Sequence, residues 1–282
     1  MGNNLFGKFH CLGIAAPASG CVPEKLQSGL TFLERHGIKV IPGKNLFARG
    51  TFSYLSADDG KRVEDFNSLA ENPEVDAILC VRGGYGTPRI LEKINYAVLR
   101  QRNLPVIGFS DITAIHWAMA RFGCDGILAA PTISLLADAG DEVTLNTLPA
   151  AVEGKECVLH LPAIRKGEIS GFPLPGNIAV AASLCGTAYF PDTTGKIIVL
   201  EEVGEAAYRL DRMLTQLLLS GTFDRCAGVV FAHFTRCGEN SEVMDILHDF
   251  TRKVHCPVFF GFPHGHELPF YSLSSRQYLT VS

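Results

Sequence analysis

The first 130 or so residues alternate between two hydrophobic periods, and this constrains the fold more than any other feature of the chain. FHCLGIAAP (9–17), IKVIP (38–42), VDAILCVRGG (75–84) and LPVIGFS (104–110) are short, continuous apolar runs, the pattern of strands buried on both faces. Between them, PEKLQSGLTFLERHG (23–37), SADDGKRVEDFNSLAENP (56–73), TPRILEKINYAVLRQ (87–101) and DITAIHWAMARFG (111–123) read as helices. Parallel strands cannot be joined by tight turns, so helices cross over between them and cover both faces of the sheet. The fold class is α/β, with an N-terminal parallel-sheet domain of flavodoxin or Rossmann type.

From Asp138 the pattern changes. DAGDEVTLNTLPAAVEGK (138–155) predicts one helix, and GKECVLHLPAIRKGEISGFPLPG (154–176) is strand-and-turn material. TGKIIVLEEVGE (194–205) and CAGVVFAHF (226–234) predict strands, AYRLDRMLTQLLLSG (207–221) and SEVMDILHDFTRKV (241–254) helices. CPVFFGFPHGH (256–266) predicts a strand running into a loop, and LPFYSLSSRQYLTVS (268–282) an edge strand. The expected organisation is an α/β domain over 1–137, a linker over 138–170 and a smaller, strand-rich C-terminal domain over 171–282.

Composition excludes several function classes. The net charge is −4 with no Lys/Arg block, which argues against nucleic acid as a partner. No run approaches the roughly 18 apolar residues of a membrane span. The apolar stretch before Pro17 is too short for a secretory signal, so a cytoplasmic location is expected. Nine scattered cysteines include no C-x-x-C pair, and His233 with Cys237 lacks two further metal ligands at credible spacing. Neither metal nor organic cofactor is expected.

Ligands of such sheets bind beyond the carboxyl ends of the strands. APASG (16–20), RGGYGTPR (82–89) and GFSD (108–111) all fall at that edge. Ser110, at a strand-to-helix junction, has two readings: a helix N-cap, or a nucleophile. A nucleophile needs a base and a group to orient it. His264 and His266, in a Gly/Pro-rich loop after a buried strand, are candidates for the base. His116 reads instead as a packed or surface residue, and His10, His36, His160, His248 and His255 have no context that suggests catalysis. Glu201 and Glu202 sit at a strand terminus, where alternation points them to opposite faces, so only one can orient an imidazole.

GFSDITAIH, VRGGYGTPRIL, GKIIVLEEVGEAAYRLDRMLTQL and GFPHGH together resemble the LD-carboxypeptidase family of serine peptidases. That family includes murein tetrapeptide carboxypeptidases and microcin C self-immunity peptidases. The resemblance runs from about residue 15 to about residue 270. It implies a Ser–Glu–His triad of Ser110 (nucleophile), Glu201 (orienting carboxylate) and His266 (base), divided between two domains with the substrate in the cleft. It also implies release of terminal D-alanine from a cytoplasmic muropeptide at an L,D peptide bond, and a homodimer. The backbone N–H groups of Asp111 and Gly84 are the expected oxyanion donors. Arg82, and after it Arg212, are candidates for the substrate carboxylate. One alternative is hydrolysis of a microcin-like aminoacyl-nucleotide conjugate, for which Trp117 is the aromatic to consider. Another is a non-catalytic muropeptide sensor. The chain departs from the family pattern at Pro175-Gly176-Asn177, at Ala129-Ala130-Pro131 and at His264, where an apolar residue is common.

Overall fold

Strands β1 (Cys11–Ala15), β2 (Lys39–Pro42), β3 (Ala77–Cys80), β4 (Val106–Gly108) and β5 (Ile127–Ala129) lie side by side and parallel in a computed structural model that describes residues 5–136 and 138–282. Their order, β2-β1-β3-β4-β5, is the flavodoxin-like one, in which chain direction across the sheet switches between β1 and β3. Helices α1 (Pro23–Arg35), α2 (Asp59–Glu71), α3 (Tyr96–Arg102) and α4 (Thr113–Arg121) make the crossovers.

The third crossover differs from expectation. TPRILEKINYAVLRQ forms two 3₁₀ turns, Thr87–Arg89 and Leu91–Lys93, before α3 begins at Tyr96. Asn95 explains the break, because its side chain caps α3 by accepting from the Val98 N–H. Strand β5 was not anticipated either: GILAA is short and small-residued, and the sheet rather than its own pattern makes it a strand.

The rest of the chain continues with α5 (Ile133–Leu136), α6 (Glu142–Glu153), β6 (Cys157–Leu159), β7 (Ala163–Arg165), β8 (Ile169–Gly171) and β9 (Pro173–Asn177). Then come α7 (Ile178–Ser183), β10 (Ile197–Val203), α8 (Ala207–Leu219), β11 (Gly228–Thr235), α9 (Asn240–Lys253), β12 (Val258–Phe259), β13 (Leu273–Ser274) and β14 (Leu279–Val281). A second sheet runs β7-β12-β11-β10-β9, parallel except for β7. A third runs β6-β14-β8. The expected C-terminal edge strand is therefore two strands: β13 adds antiparallel to β5, and β14 is the centre of the third sheet. We propose the division 1–137, 138–170 and 171–282, which follows the sheets except where β6 and β7 leave the middle segment and β13 returns to the first sheet. Met1 and Ala137, the bounds of its first segment, lie outside the described residues.

Helix α4 joins the two halves. Residues 113 to 119 are all buried, because α4 packs against its own sheet on one side and against β9 and α7 on the other. A helix covered on every side needs no polar face, which accounts for the run AIHWAMA. Trp117 is fully buried there, donating its Nε1–H to the Pro175 carbonyl at 3.0 Å. The largest core cluster is continuous across the join, with Val106 and Ile115 on one side and Leu200 and Leu210 on the other.

Candidate active site

Strand β4 ends at Gly108, Phe109 stays extended, and Ser110 then turns with φ +63° into a single 3₁₀ turn (Ser110–Ile112) that leads to α4. Left-handed backbone costs a serine about 1–2 kcal/mol, so the surroundings must hold it. They do so through Asp111 and Gly83. The buried Asp111 carboxylate accepts from the Thr87 N–H at 2.8 Å, and its carbonyl accepts from the Thr87 hydroxyl at 2.5 Å, tying the elbow to the glycine-rich loop. Burial raises the Asp111 carboxyl pKa against the pull of these bonds. A Cβ on Gly83 would lie 2.7 Å from Ser110 Cβ and 2.8 Å from its Oγ, so only glycine fits against the elbow.

Ser110 does not act as a helix cap. The N-cap of α4 is Ile112, without a side-chain capping bond, and the Ser110 hydroxyl lies 3.0 Å from His266 Nε2. The other ring nitrogen, Nδ1, is 2.8 Å from Glu201 Oε2. A carboxylate can only accept, so Nδ1 carries the proton and Nε2 is left to accept from Ser110 Oγ–H. This relay joins positions 110, 201 and 266 from two different sheets. Phe109 walls it, its ring centroid 5.0 Å from that of His266.

Glu201 and Glu202 do point to opposite faces, and neither reaches solvent, at 1% and 2% exposure. Glu202 accepts from Asn177 Nδ2 and from the backbone N–H of Ala179 and Val203 at 2.7–2.8 Å. It thereby anchors the start of α7, and burial pushes its carboxyl up to about 7 despite these donors. Asn177 also caps α7 by accepting from the Val180 N–H.

The two histidines of GFPHGH divide similarly. His264 is buried, with Nδ1 donating to the Tyr271 carbonyl at 2.8 Å and its ring centroid 4.5 Å from that of Phe270. Burial lowers its pKa to about 4, so it is a neutral core residue near neutral pH. Gly265, at φ +135°, turns the chain between them, which lets His266 face Ser110 while His264 faces inward. His116 is likewise buried and neutral, its Nε2 donating to the Val106 carbonyl at 2.9 Å.

A cleft of about 380 Å³ opens over Ser110 and His266, and Gly83, Gly84 and Arg82 line it. The amide nitrogen of Asp111 lies 3.2 Å from the point a Gly83 Cβ would occupy, beside Ser110 Oγ. Arg212 is not among the cleft's lining residues: it is exposed on α8 with its guanidinium over the Tyr208 ring. Lys25 and Arg236 line the cleft instead, Lys25 paired at 2.7 Å with Asp138, another lining residue. Arg236 had no sequence signal beyond following the strand-like CAGVVFAHF. Trp117 is sealed in the core and cannot stack on a ligand. A larger hollow, about 740 Å³ over the outer face of α1, touches none of Ser110, Glu201 or His266. Among the described residues, no group of three or more His, Cys, Asp or Glu is placed to hold a metal ion.

Arg62 has no sequence signal either. It lies buried on α2 and donates to the Pro17, Gly86 and Ala57 carbonyls while pairing with Asp59. One guanidinium therefore fastens the loops after β1 and β3 together. An arginine in an amphipathic helix reads as surface until the loops are seen around it.

Residues 12–129 match the family model described as LD-carboxypeptidase N-terminal domain, and residues 170–279 match the LD-carboxypeptidase C-terminal domain. The chain is 31% identical to a probable murein peptide carboxypeptidase of Bacillus subtilis, over 92% of this chain and 84% of that protein. It is 29% identical to a murein tetrapeptide carboxypeptidase of Pseudomonas aeruginosa, over 90% and 87% of the two. Among solved structures, an MccF-like protein of Bacillus anthracis superposes with a TM-score of 0.87 at 21% identity, over 97% of this chain and 93% of that one. At that identity the likeness is one of fold.

Proposed function

The chain belongs to the LD-carboxypeptidase family, and from that premise we propose that it is a serine carboxypeptidase releasing terminal D-alanine from murein tetrapeptide. The observation that carries this reading is the unbroken path from Ser110 Oγ through His266 to the buried Glu201, at 3.0 and 2.8 Å, starting from a left-handed elbow. His266 Nε2 takes the hydroxyl proton as Ser110 Oγ attacks the carbonyl carbon at the L-centre of diaminopimelate. Glu201 holds the ring in its productive tautomer and stabilises the imidazolium that forms. The developing oxyanion is met by the N–H groups of Asp111 and Gly84, with Gly83 leaving room for it. His266 then gives its proton to the leaving amine of D-alanine. Water, deprotonated by the same imidazole, cleaves the ester, giving a tripeptide carboxylate and free Ser110.

The leaving residue carries a carboxylate, for which the cations lining the cleft, Arg82, Arg236 and Lys25, are the available partners. The test is mass spectrometry of murein tetrapeptide incubated with the protein and with Ser110→Ala. D-alanine release by the parent and none by the variant is the expected result. Equal, negligible release from both, with folding verified, contradicts the reading and makes an aminoacyl-nucleotide conjugate the next substrate to try.

A further inference from the structure

Away from the cleft, Cys226 Sγ and Cys256 Sγ lie 3.6 Å apart, both reduced and partly exposed. The fold brings them together. Cys226 leads into β11 and Cys256 into β12, neighbouring parallel strands that pair from Val229 and Val258 onward. The catalytic cleft lies at the other end of these strands, where Arg236 follows β11 and the His266 loop follows β12. Bonded disulfide sulfurs stand about 2.05 Å apart, so closure needs a movement of roughly 1.5 Å between side chains and no change of strand register.

The two thiols are not equivalent. The Cys226 S–H has Cys256 Sγ and the Phe223 carbonyl as acceptors, each at 3.6 Å. Nearby, the Arg165 guanidinium is held at the end of α9 by the Thr251 and Val254 carbonyls, the second of them two residues before Cys256. The bond from Cys226, with help from this guanidinium, holds the Cys256 thiol below its ordinary value against burial. The same bond, and burial after it, push the Cys226 thiol up. A thiolate near a cation, with a second thiol beside it, is the arrangement of an oxidant-sensitive cysteine and its resolving partner.

We propose that Cys226 and Cys256 are a redox-modification site, at which hydrogen peroxide drives a reversible disulfide that closes the β11–α9–β12 crossover. The site stands apart from the carboxypeptidase reading, which uses neither residue. Cys256, as thiolate, attacks one peroxide oxygen and the O–O bond breaks. The departing hydroxide takes up the proton that Cys256 gave on ionising, which leaves one water and a sulfenic acid on Cys256. Cys226 sulfur then attacks Cys256 sulfur. The S–S bond forms, the S–O bond breaks, and the hydroxide leaves as a second water with the Cys226 proton. Two thiols are oxidised to one disulfide while one peroxide is reduced to two waters. A dithiol reductant reverses the bond by exchange.

The experiment treats the reduced chain with a small excess of hydrogen peroxide, blocks free thiols with N-ethylmaleimide and maps the unreduced peptides by mass spectrometry. Cys21, Cys157 and Cys185 are partly exposed as well and serve as the internal control. The expected result is a Cys226–Cys256 cross-link formed ahead of any change at those three, and its loss on adding dithiothreitol. The cross-linked protein should melt about 5–10 °C higher, because the bond closes a long loop of the unfolded chain. In Cys226→Ser the resolving sulfur is gone, and dimedone should label a sulfenic acid on Cys256. Peroxide that leaves the pair unlinked in the folded parent overturns the site, as does oxidation falling first on Cys21, Cys157 or Cys185. Absence of the dimedone adduct on Cys256 overturns its role as the attacking thiolate. A cross-link that leaves the melting temperature unmoved overturns the closing of the crossover.

Discussion

The two sides of the cleft are built on opposite plans. On the side of the first sheet, the reactive position is fixed by backbone: a serine at φ +63°, a glycine pressed against it, and loops tied together by Asp111, Ser19 and Arg62. On the other side it is fixed by buried side chains. Glu201 projects from β10, one strand in from the edge of the second sheet, and the ring it holds arrives from a loop 65 residues later in the chain. The first plan suits a nucleophile, whose position must be defined to a fraction of an ångström. The second suits an orienter, whose charge acts only if water is kept away.

The largest effect is expected from Glu201→Gln, which removes charge from the side-chain half and leaves the elbow alone. We expect kcat to fall about 10³–10⁴-fold, because the amide no longer enforces the Nδ1–H tautomer, with the melting temperature little changed. A loss under tenfold would remove Glu201 from the account. Gly83→Ala attacks the backbone half. Its methyl would meet Ser110 Cβ and Oγ at 2.7 and 2.8 Å, and a loss of about 10²–10³ in kcat is expected from steady-state kinetics. Normal turnover there would mean that close packing of the loop against the elbow is not what holds Ser110 in place.

Glu202→Gln gives the smallest effect on rate and the sharpest control, being the same residue type on the same strand with the opposite face. It should change turnover less than threefold. Its effect lies in stability. Burial raises the folded-state pKa to about 7, so the folded form holds its proton more tightly than the unfolded chain does. That contribution is fully present below the unfolded value near 4.3 and is lost as pH rises towards 7. Denaturant melts from pH 4.5 to 8 should show this decline in the parent and a flatter profile in the variant. The same decline in both would place its origin elsewhere.

The backbone half was far more legible in the sequence than the side-chain half. Apolar runs alternating with helical segments dictate a parallel sheet, and GFSD at a strand end directs attention to Ser110. The residues that hold the elbow were less visible, because Arg62 and Asp111 look like ordinary surface charges until their partners are known. On the far side, alternation separates Glu201 from Glu202 but cannot tell which one faces the cleft. Spacing alone likewise cannot choose between His264 and His266, since two residues apart in a strand would put both on one face. The left-handed turn at Gly265 breaks that rule. The C-terminal segment misled for a related reason: strands of two and three residues carry too few side chains for periodicity to show a change of sheet.

The most direct test of the account is a rapid-quench intact-mass measurement with murein tetrapeptide, followed by peptide mapping. A transient adduct equal to the tripeptide acyl group is expected, located on Ser110, and none in His266→Ala. D-alanine release with no adduct in the parent, or with the acyl group on another residue, would contradict the assignment of Ser110 as the nucleophile.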